Sequence, residues 1–186
     1  MANPTDDLEQ ATSAESIVFR DLQLADVPAV KALHRDLFPV QYSDSFFNNL
    51  FNTGYYCLVG IVNGEIVAVA SARTVEPNGK PSREAYIMTL GVREDHRRRN
   101  LGSASMVRII ELLRERTECE TAVLHVKLLN KAAVNFYHKN GFHSHPIEGL
   151  CRDHYYIEGK HYDALLFKRD LHSGLFGKIK SYCALL

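Results

Sequence analysis

The chain has 186 residues, 46% of them apolar, and carries 22 basic and 22 acidic side chains. This length and apolar content predict one compact α/β domain with a sizeable core. Because the formal net charge is zero, no chain-wide field attracts a polyanion, so the composition argues against a nucleic-acid-binding protein. No uninterrupted apolar run approaches the length of a membrane-spanning helix.

The first residues differ from the rest in composition. Residues 1–15 are acidic and polar, which predicts a disordered leader. They lack the basic and apolar regions of a signal peptide, and Ala2 stands where myristoylation requires glycine. We therefore expect a cytoplasmic protein with a folded domain at 16–170 and a tail at 171–186.

Apolar periodicity and turn residues predict alternating strands and helices along the domain. Asn63-Gly64, between two β-rich runs, indicates a tight hairpin. Because strands and helices alternate in the second half, the order predicts a mixed sheet with helices on both faces. The predicted elements are a strand at 16–20, helices at 26–37 and 44–52, strands at 55–62, 65–75 and 83–92, a helix at 101–116, a strand at 121–128, a helix at 131–139, and strands near 142–148 and 161–168.

Residues 90–102, LGVREDHRRRNLG, carry the clearest chemical signal. They predict the end of a strand, a basic turn and the start of a helix. A helix N-terminus offers unpaired N–H donors and roughly half a positive charge, so a diphosphate can bind there, with Arg97, Arg98 or Arg99 as counter-charge. The alternative is a solvated arginine run or a nucleic-acid patch, which the balanced net charge disfavours.

Residues 97–102 resemble the acyl-CoA-binding loop of the GNAT superfamily of N-acetyltransferases, Arg/Gln-x-x-Gly-x-Gly/Ala. Asn100 stands where the first glycine is usual, and asparagine is the residue that best replaces glycine in a left-handed backbone. Gly102 matches the second glycine and would let the backbone approach the phosphates. The resemblance implies a single-domain GNAT fold, with a mixed, mostly antiparallel central sheet, splayed strands and helices on both faces. It also implies acetyl-CoA as cosubstrate and no metal.

Further segments resemble the N-terminal α-amine acetyltransferases of the E and F types, and together the resemblance spans about residues 17–170. These relatives acetylate the free amino terminus of proteins and favour Met followed by a hydrophobic or otherwise varied residue. The segments that carry the resemblance are FPVQY at 38–42, YIMTLGV at 86–92, LHV at 124–126, NKAAVNFY at 130–137, GF at 141–142 and YY at 155–156.

By this resemblance, Tyr86 and His125 are the catalytic pair, on two strands that flank the cofactor cleft. The chemistry requires a base, because an attacking ammonium must lose a proton before its lone pair can reach the thioester carbonyl. An imidazole, with a reference pKa of about 6.5, can accept that proton directly or through water. The structural alternative is that His125 is a hydrogen-bonded core histidine and Tyr86 a packing residue.

The resemblance also implies which residues hold the cosubstrate. Asn130 is expected to fix the cofactor arm while capping its helix, and Tyr137 to reach the sulfur of coenzyme A as a hydrogen-bond donor or proton source. The alternative for Tyr137 is an ordinary aromatic residue on a helix face. The cofactor-binding residues implied in this way are Leu90, Val92, Arg97, Arg98, Arg99, Asn100, Leu101, Gly102, Ser103, Asn130 and Tyr137.

The resemblance implies that two groups of residues form opposite walls of the cavity that binds the peptide substrate. Aromatic and proline surfaces suit a Met side chain, because sulfur packs favourably near ring edges. The alternative is that the segment FPV only ends a helix and fills a gap in the core. The substrate-binding residues implied are Phe38, Pro39, Val40 and Tyr42 on one side and Tyr155 and Tyr156 on the other.

The cysteines and the C-terminus carry separate signals. The four cysteines lack the spacing of a zinc site, so we predict reduced thiols and no metal centre. Residues 183–186, CALL, fit the C-a-a-X prenylation signal on Cys183, and the terminal leucine indicates geranylgeranyl. Apolar residues at near-helical spacing in 171–182 predict an amphipathic second membrane signal. The alternative is an apolar C-terminus that packs on the domain.

We therefore expect peripheral attachment to the cytosolic face of a membrane, with the Golgi of the F-type relative as a candidate, and a monomer. Two other functions stay open. One is an acetyltransferase of the same fold that acts on lysine, including histones, or on a small amine. The other is a catalytically silent module that binds coenzyme A as a scaffold, which would follow if Asn100 spoils the loop.

Overall fold

The computed structural model describes residues 17–76, 80–145 and 148–172. Its strands are β1 (Val18–Asp21), β2 (Tyr55–Val62), β3 (Glu65–Val75), β4 (Pro81–Val92), β5 (Thr121–Lys127), β6 (Leu150–Ile157) and β7 (Lys160–Asp170). They form one seven-stranded sheet in the order β1-β2-β3-β4-β5-β7-β6. All neighbours are antiparallel except β4 and β5, which are parallel.

Four α-helices accompany these strands in the described residues. Ser43 begins the second helix by accepting a hydrogen bond from the Phe46 N–H, and proline stands in the first turn of the first helix, where its missing N–H costs nothing. The helices are α1 (Val27–Leu37), α2 (Asp44–Asn49), α3 (Leu101–Arg116) and α4 (Lys131–Lys139), and short 3-10 turns lie at Leu24–Asp26 and Glu94–His96.

Helices cover both faces of the sheet. Alternate residues of a strand point to opposite faces, and β2 shows this directly. Leu58 packs in a buried cluster with Ala70 of β3 and Met106 of α3, whereas the next residue, Val59, packs in a second cluster with Val30 of α1. The predicted mixed sheet with helices on both faces is therefore confirmed.

The sheet divides at its centre. β4 and β5 pair only at Glu84 with Thr121, Ala85 with Ala122 and Tyr86 with Val123. Beyond these residues β4 stays paired with β3 and β5 with β7. The two central strands therefore part after Tyr86 and Val123, and a cleft opens where they separate, in line with the splayed strands that the family resemblance implies.

The predicted hairpin at the start of the sheet is also present. Asn63 and Gly64 connect β2 to β3 with positive φ values of 50° and 82°. Both central residues of a type I′ turn need positive φ, which asparagine and glycine adopt most readily. The Asn-Gly signal therefore placed this turn correctly.

The C-terminal hairpin differs from the prediction. The sequence predicts a strand near 142–148, but there, among the described residues, only an isolated bridge joins His143 to Lys168. The strand lies instead at 150–157, and Glu158 and Gly159, with φ values of 50° and 76°, turn into β7. Because residues 151–154 form a polar run, the alternation of apolar and polar residues that is typical of a strand is not visible there. The sequence therefore predicts the strand too early in the chain.

The ends of the chain are described in part. The predicted leader at 1–15 and the prenylation signal at Cys183 lie outside the described residues. The first residue of the predicted tail, Leu171, is fully buried, and its N–H donates to the Glu120 carbonyl. In the described part of the chain, the helices are too short or too polar to cross a membrane.

Candidate active site

A cavity of about 420 Å³ lies where β4 and β5 part. Its floor comes from both strands, and its walls come from the segment after α1 and from β6. The side chains that line it include Tyr86, Met88, Leu90, His125, Lys127 and Asn130, with Phe38, Pro39, Val40 and Tyr42 on one wall and Tyr137, Tyr155 and Ile157 on the others.

Tyr86 and His125 meet on the floor of this cavity. The Tyr86 hydroxyl lies 3.1 Å from His125 Nδ1, within hydrogen-bond distance. Register explains the contact, because Tyr86 is paired with Val123 and His125 is two residues further along β5, on the same face. The structure therefore brings together the two residues predicted to be catalytic.

Both members of the pair are electrically neutral near pH 7. Burial lowers the pKa of His125 to about 4, and the His154 imidazole contributes as well. The two rings are stacked with their centres 3.8 Å apart. Burial raises the pKa of Tyr86, an effect that Arg73 partly offsets. The pair thus presents a neutral imidazole and a neutral phenol, which can accept and relay a proton.

The predicted aromatic walls are only partly assembled. Tyr155 donates a hydrogen bond from its hydroxyl to the His125 carbonyl at 3.0 Å, and burial raises the pKa of its phenol. Tyr42 packs edge-on against the Phe38 ring. Tyr156, the strand neighbour of Tyr155, points to the opposite face and is 68% exposed, with its ring beside His161. The structure therefore separates Tyr156 from the cavity.

A second cavity, of about 360 Å³, opens beside the first. The two share residues of the α1 end and of α4 in their walls, including Phe38, Leu90, Asn130 and Tyr137. Because these residues line both cavities, the two cavities adjoin along the cleft between β4 and β5. The second cavity reaches Val92, Arg97 and Gly102, where the sequence predicts the phosphate-binding loop.

The loop has the backbone that its sequence predicts. Asn100 is the N-cap of α3 with φ 62° and ψ 5°, a left-handed conformation, and Arg98 has φ 65°. The first helical bond runs from the Ala104 N–H to the Asn100 carbonyl. The N–H groups of Leu101, Gly102 and Ser103 therefore precede the hydrogen-bonded ladder of the helix.

One hydrogen bond and one glycine determine how this loop packs. Arg97 Nε donates to the Val92 carbonyl at 3.0 Å, which ties the loop to the end of β4. A Cβ atom added at Gly102 would lie 3.3 Å from the ring of Phe136, so glycine lets α3 and α4 pack closely here. Arg98 and Arg99 have exposed side chains. The loop thus offers helix N–H groups and positive charge at the cavity.

Asn130, the N-cap of α4, and Tyr137 within α4 line both cavities. The Asn130 side chain accepts a hydrogen bond from the Ala133 N–H at 3.1 Å and so caps the helix. Burial raises the pKa of Tyr137 to about 12, with a smaller contribution from Tyr86. Tyr137 therefore stays protonated near neutral pH and can serve as a hydrogen-bond donor.

The comparisons with known proteins agree with this geometry. The acetyltransferase (GNAT) family matches residues 27–142, which is more than half of the chain. The chain belongs to the GNAT acetyltransferase family. The predicted family, fold and acyltransferase class are confirmed by this match.

Relatives of this GNAT domain include N-terminal acetyltransferases. N-alpha-acetyltransferase 60 of Xenopus tropicalis is 27% identical over 182 residues, which cover 82% of this chain and 75% of the relative. The crystal structure of Arabidopsis thaliana NAA60 with a bisubstrate analogue has a TM-score of 0.72 at 24% identity and covers 83% of this chain and 99% of that one. Arabidopsis thaliana Naa50 with the bisubstrate analogue CoA-Ac-MVNAL has a TM-score of 0.69 at 23% identity, over 83% and 98% of the two chains.

Some residues of the cleft were not predicted from the sequence. Leu37, Met88 and Lys127 line the larger cavity, and each is next to or two residues from a predicted site residue, so adjacency was the available signal. His154, stacked on His125, is next to the predicted Tyr155, but neighbours in a regular strand point to opposite faces, so adjacency would have placed His154 away from the site. Sequence spacing assumes regular strands, so it does not identify side chains that reach the site through an irregularity in a strand.

Proposed function

We propose that this GNAT domain transfers the acetyl group of acetyl-CoA to the free α-amine of protein N-termini. The observation that supports this most is the neutral Tyr86 and His125 pair, joined at 3.1 Å on the floor of the cleft between β4 and β5. One part of the cleft has the helix N-terminus suited to a diphosphate. The other part has aromatic walls suited to an apolar side chain.

The donor substrate is proposed to bind along the α3 end of the cleft. The N–H groups of residues 101–103 and the positive charge of Arg97 can hold the diphosphate of acetyl-CoA. Asn130 and Tyr137 line both cavities, which supports their proposed contacts with the pantetheine arm and the thioester. The NAA60 relative, solved with a bisubstrate analogue, supports this assignment.

The reaction follows from the protonation states of the site. An α-amine with a reference pKa of about 7.7–8.0 is partly neutral near pH 7. In the tautomer of His125 whose Nδ1–H donates to Tyr86, the Nε2 lone pair is free to take the second proton as the new N–C bond forms. The C–S bond then breaks, and the Tyr137 phenol can donate a hydrogen bond or a proton to the leaving thiolate.

The acceptor is proposed to begin with Met followed by a hydrophobic or otherwise varied residue. Phe38, Pro39, Val40 and Tyr42 give an apolar wall for a Met side chain. The analogue bound to the Naa50 relative carries MVNAL, which supports a Met start. Tyr155, whose hydroxyl donates a hydrogen bond to the His125 carbonyl, narrows the opposite side of the cavity.

Membrane attachment is a separate part of the proposal and rests on sequence. Geranylgeranyl on Cys183 and the apolar spacing of the tail would hold the enzyme on the cytosolic face of a membrane, with the Golgi as a candidate. Fractionation of cells that express the wild type or Cys183→Ser tests this. The variant should move from the membrane to the soluble fraction, and an unchanged distribution would refute prenylation as the anchor.

The activity is tested by acetyl transfer from acetyl-CoA to free-N-terminus peptides, beside N-acetyl-blocked peptides with an internal lysine and small amines such as spermidine. We expect transfer to Met-starting free N-termini and its loss in His125→Ala. Transfer mainly to lysine or to a small amine would assign the other acceptor class. Binding of acetyl-CoA without transfer would indicate a silent scaffold.

A further inference from the structure

Three metal-ligand side chains converge at the edge of the active site. The ligand atoms of His125, Cys151 and His154 all lie within 4.8 Å of one another. Cys151 is a free, partly exposed thiol, and His154 is exposed beside His125. The cluster is therefore open to ions from solvent.

An irregularity in β6 creates this cluster. Residues three apart in a regular strand point to opposite faces, yet Cys151 and His154 both reach His125. Between Cys151, opposite Ala164, and Tyr155, opposite Tyr162, the strand β6 advances four residues while β7 advances two. Such a bulge re-aims side chains.

Asp153 stabilises the bulge. It has φ 50°, and its N–H donates to the Asp163 side chain at 3.0 Å. The position of His154 is thus built into the backbone of the hairpin.

The ligand set selects a class of metal. Two imidazoles and one thiolate are ligands that Zn²⁺ prefers, whereas Mg²⁺ and Ca²⁺ prefer oxygen. Three protein ligands leave the fourth tetrahedral position for water. Zinc ligands at 2.0–2.3 Å lie about 3.3–3.8 Å apart in a tetrahedron, so the longest separation has to shorten by about 1 Å. Because the His154 ring is stacked on His125, it has to turn out of the stack before its in-plane lone pair can point at the same ion. His154 is exposed and Cys151 partly exposed, so both side chains can rotate to make these adjustments.

We propose that Zn²⁺ binds reversibly to His125, Cys151 and His154 and thereby inhibits acetyl transfer. The inhibition rests on the proposed function, in which His125 takes the proton of the amine. A neutral imidazole has one lone pair in its ring plane, so a metal on either nitrogen removes its capacity to accept a proton. Binding forms three coordination bonds and releases the Cys151 thiol proton to solvent.

Cobalt(II) tests the site without any peptide substrate. Titration of the untagged full chain with Co²⁺ should give one ion per chain and a thiolate-to-cobalt charge-transfer band in the near ultraviolet. Cys151→Ala should abolish this band. His161→Gln, which removes an exposed histidine of the neighbouring strand, is the matched control and should keep it. The buried Cys57 and Cys119 are present in every variant.

Inhibition of acetyl transfer by Zn²⁺ tests the second part of the proposal. Loss of even an outer-shell partner costs about 10–100-fold in metal affinity, so Cys151→Ala should raise the zinc concentration for half-inhibition by about tenfold or more. Without metal, this variant should acetylate peptides at the wild-type rate, and a chelator should restore the inhibited wild type.

The outcomes separate the two proposals. A cobalt band that survives in Cys151→Ala, or equal zinc inhibition of wild type and variant, would overturn the metal site. Acetyl transfer without a cobalt band would also overturn it and leave the proposed function standing. A cobalt band in a protein that acetylates no peptide would support the site and refute the function.

Discussion

The two ends of the cleft are built in different ways. At the cofactor end, the proposed anion donors are main-chain N–H groups of the continuous segment 90–103, and side chains of α4 and its N-cap, such as Tyr137 and Asn130, complete the wall. At the acceptor end, the site is formed by side chains from β4, β5, β6 and the segment after α1, such as Tyr86, His125, Tyr155 and Phe38. A site made of main-chain groups depends on residues that are adjacent in the sequence. A site made of side chains from several strands exists only after the sheet has formed.

The two ends also differ in charge and burial. The cofactor end is exposed and basic, as a diphosphate requires. At the acceptor end, burial lowers the pKa of His125 and raises the pKa values of Tyr86 and Tyr155. The proposed chemistry thus separates anion binding from proton transfer, and substitutions at the two ends should affect different kinetic constants.

The largest effect is expected at the acceptor end. His125→Ala should lower kcat for Met-starting peptides by roughly 10²–10⁴-fold, because it removes the proposed base. The KM for acetyl-CoA should stay within about twofold of wild type, since the cofactor end is unchanged. Steady-state kinetics with each substrate varied in turn measures both constants.

His161→Ala, an exposed histidine on β7, is the control for the loss of an imidazole and should behave as wild type. The distinction between the two ends would fail if His125→Ala raised the KM for acetyl-CoA and left kcat unchanged.

The pH dependence of kcat/KM is a second test of the acceptor end. With the pKa of His125 near 4, the imidazole is neutral throughout pH 5.5–8, and the peptide amine is the group that titrates. Below the amine pKa of about 7.7–8.0, the neutral fraction falls tenfold per pH unit. The specificity constant kcat/KM for the peptide should therefore decline about 70-fold between pH 7.5 and 5.5, and a plot of log kcat/KM against pH should approach a slope of one in the lower part of this range.

A histidine with an ordinary pKa would instead add a second inflection near 6.5. A slope that steepens to two below that pH would show that His125 is protonated there and that its burial is relieved in the working enzyme. An N-acetylated peptide serves as the blank at each pH.

Gly102→Val tests the cofactor end. Its Cβ would lie 3.3 Å from the Phe136 ring, and the added methyl groups would crowd both α4 and the first turn of α3. We expect a rise of about tenfold in the KM for acetyl-CoA, equivalent to about 1.4 kcal/mol, with kcat at saturation little changed. Gly102→Ala should show a smaller rise. A fall in kcat with unchanged KM would contradict the division of roles.

The same division explains how much could be predicted from the sequence. The loop after β4 and the left-handed Asn100 follow from adjacent residues, and so does the Asn63-Gly64 turn. Placing Tyr86 next to His125 required the family resemblance, because the contact depends on strand register. Cys151 and His154 could not be placed, since the bulge in β6 decides which face they take. The polar run at 151–154 likewise concealed β6 itself.

The smallest effect is expected at Asn100, where the backbone of the cofactor end is tested by itself. Asn100 has φ 62°, and a β-branched residue held in this region costs about 1–2 kcal/mol. Asn100→Val should therefore lower the free energy of unfolding by about that amount, measured by urea denaturation, and raise the KM for acetyl-CoA. Asn100→Gly is the matched control, because glycine adopts positive φ freely, and it should leave both quantities close to wild type. Equal loss of stability in both variants would mean that the asparagine side chain, and not its backbone conformation, holds the loop.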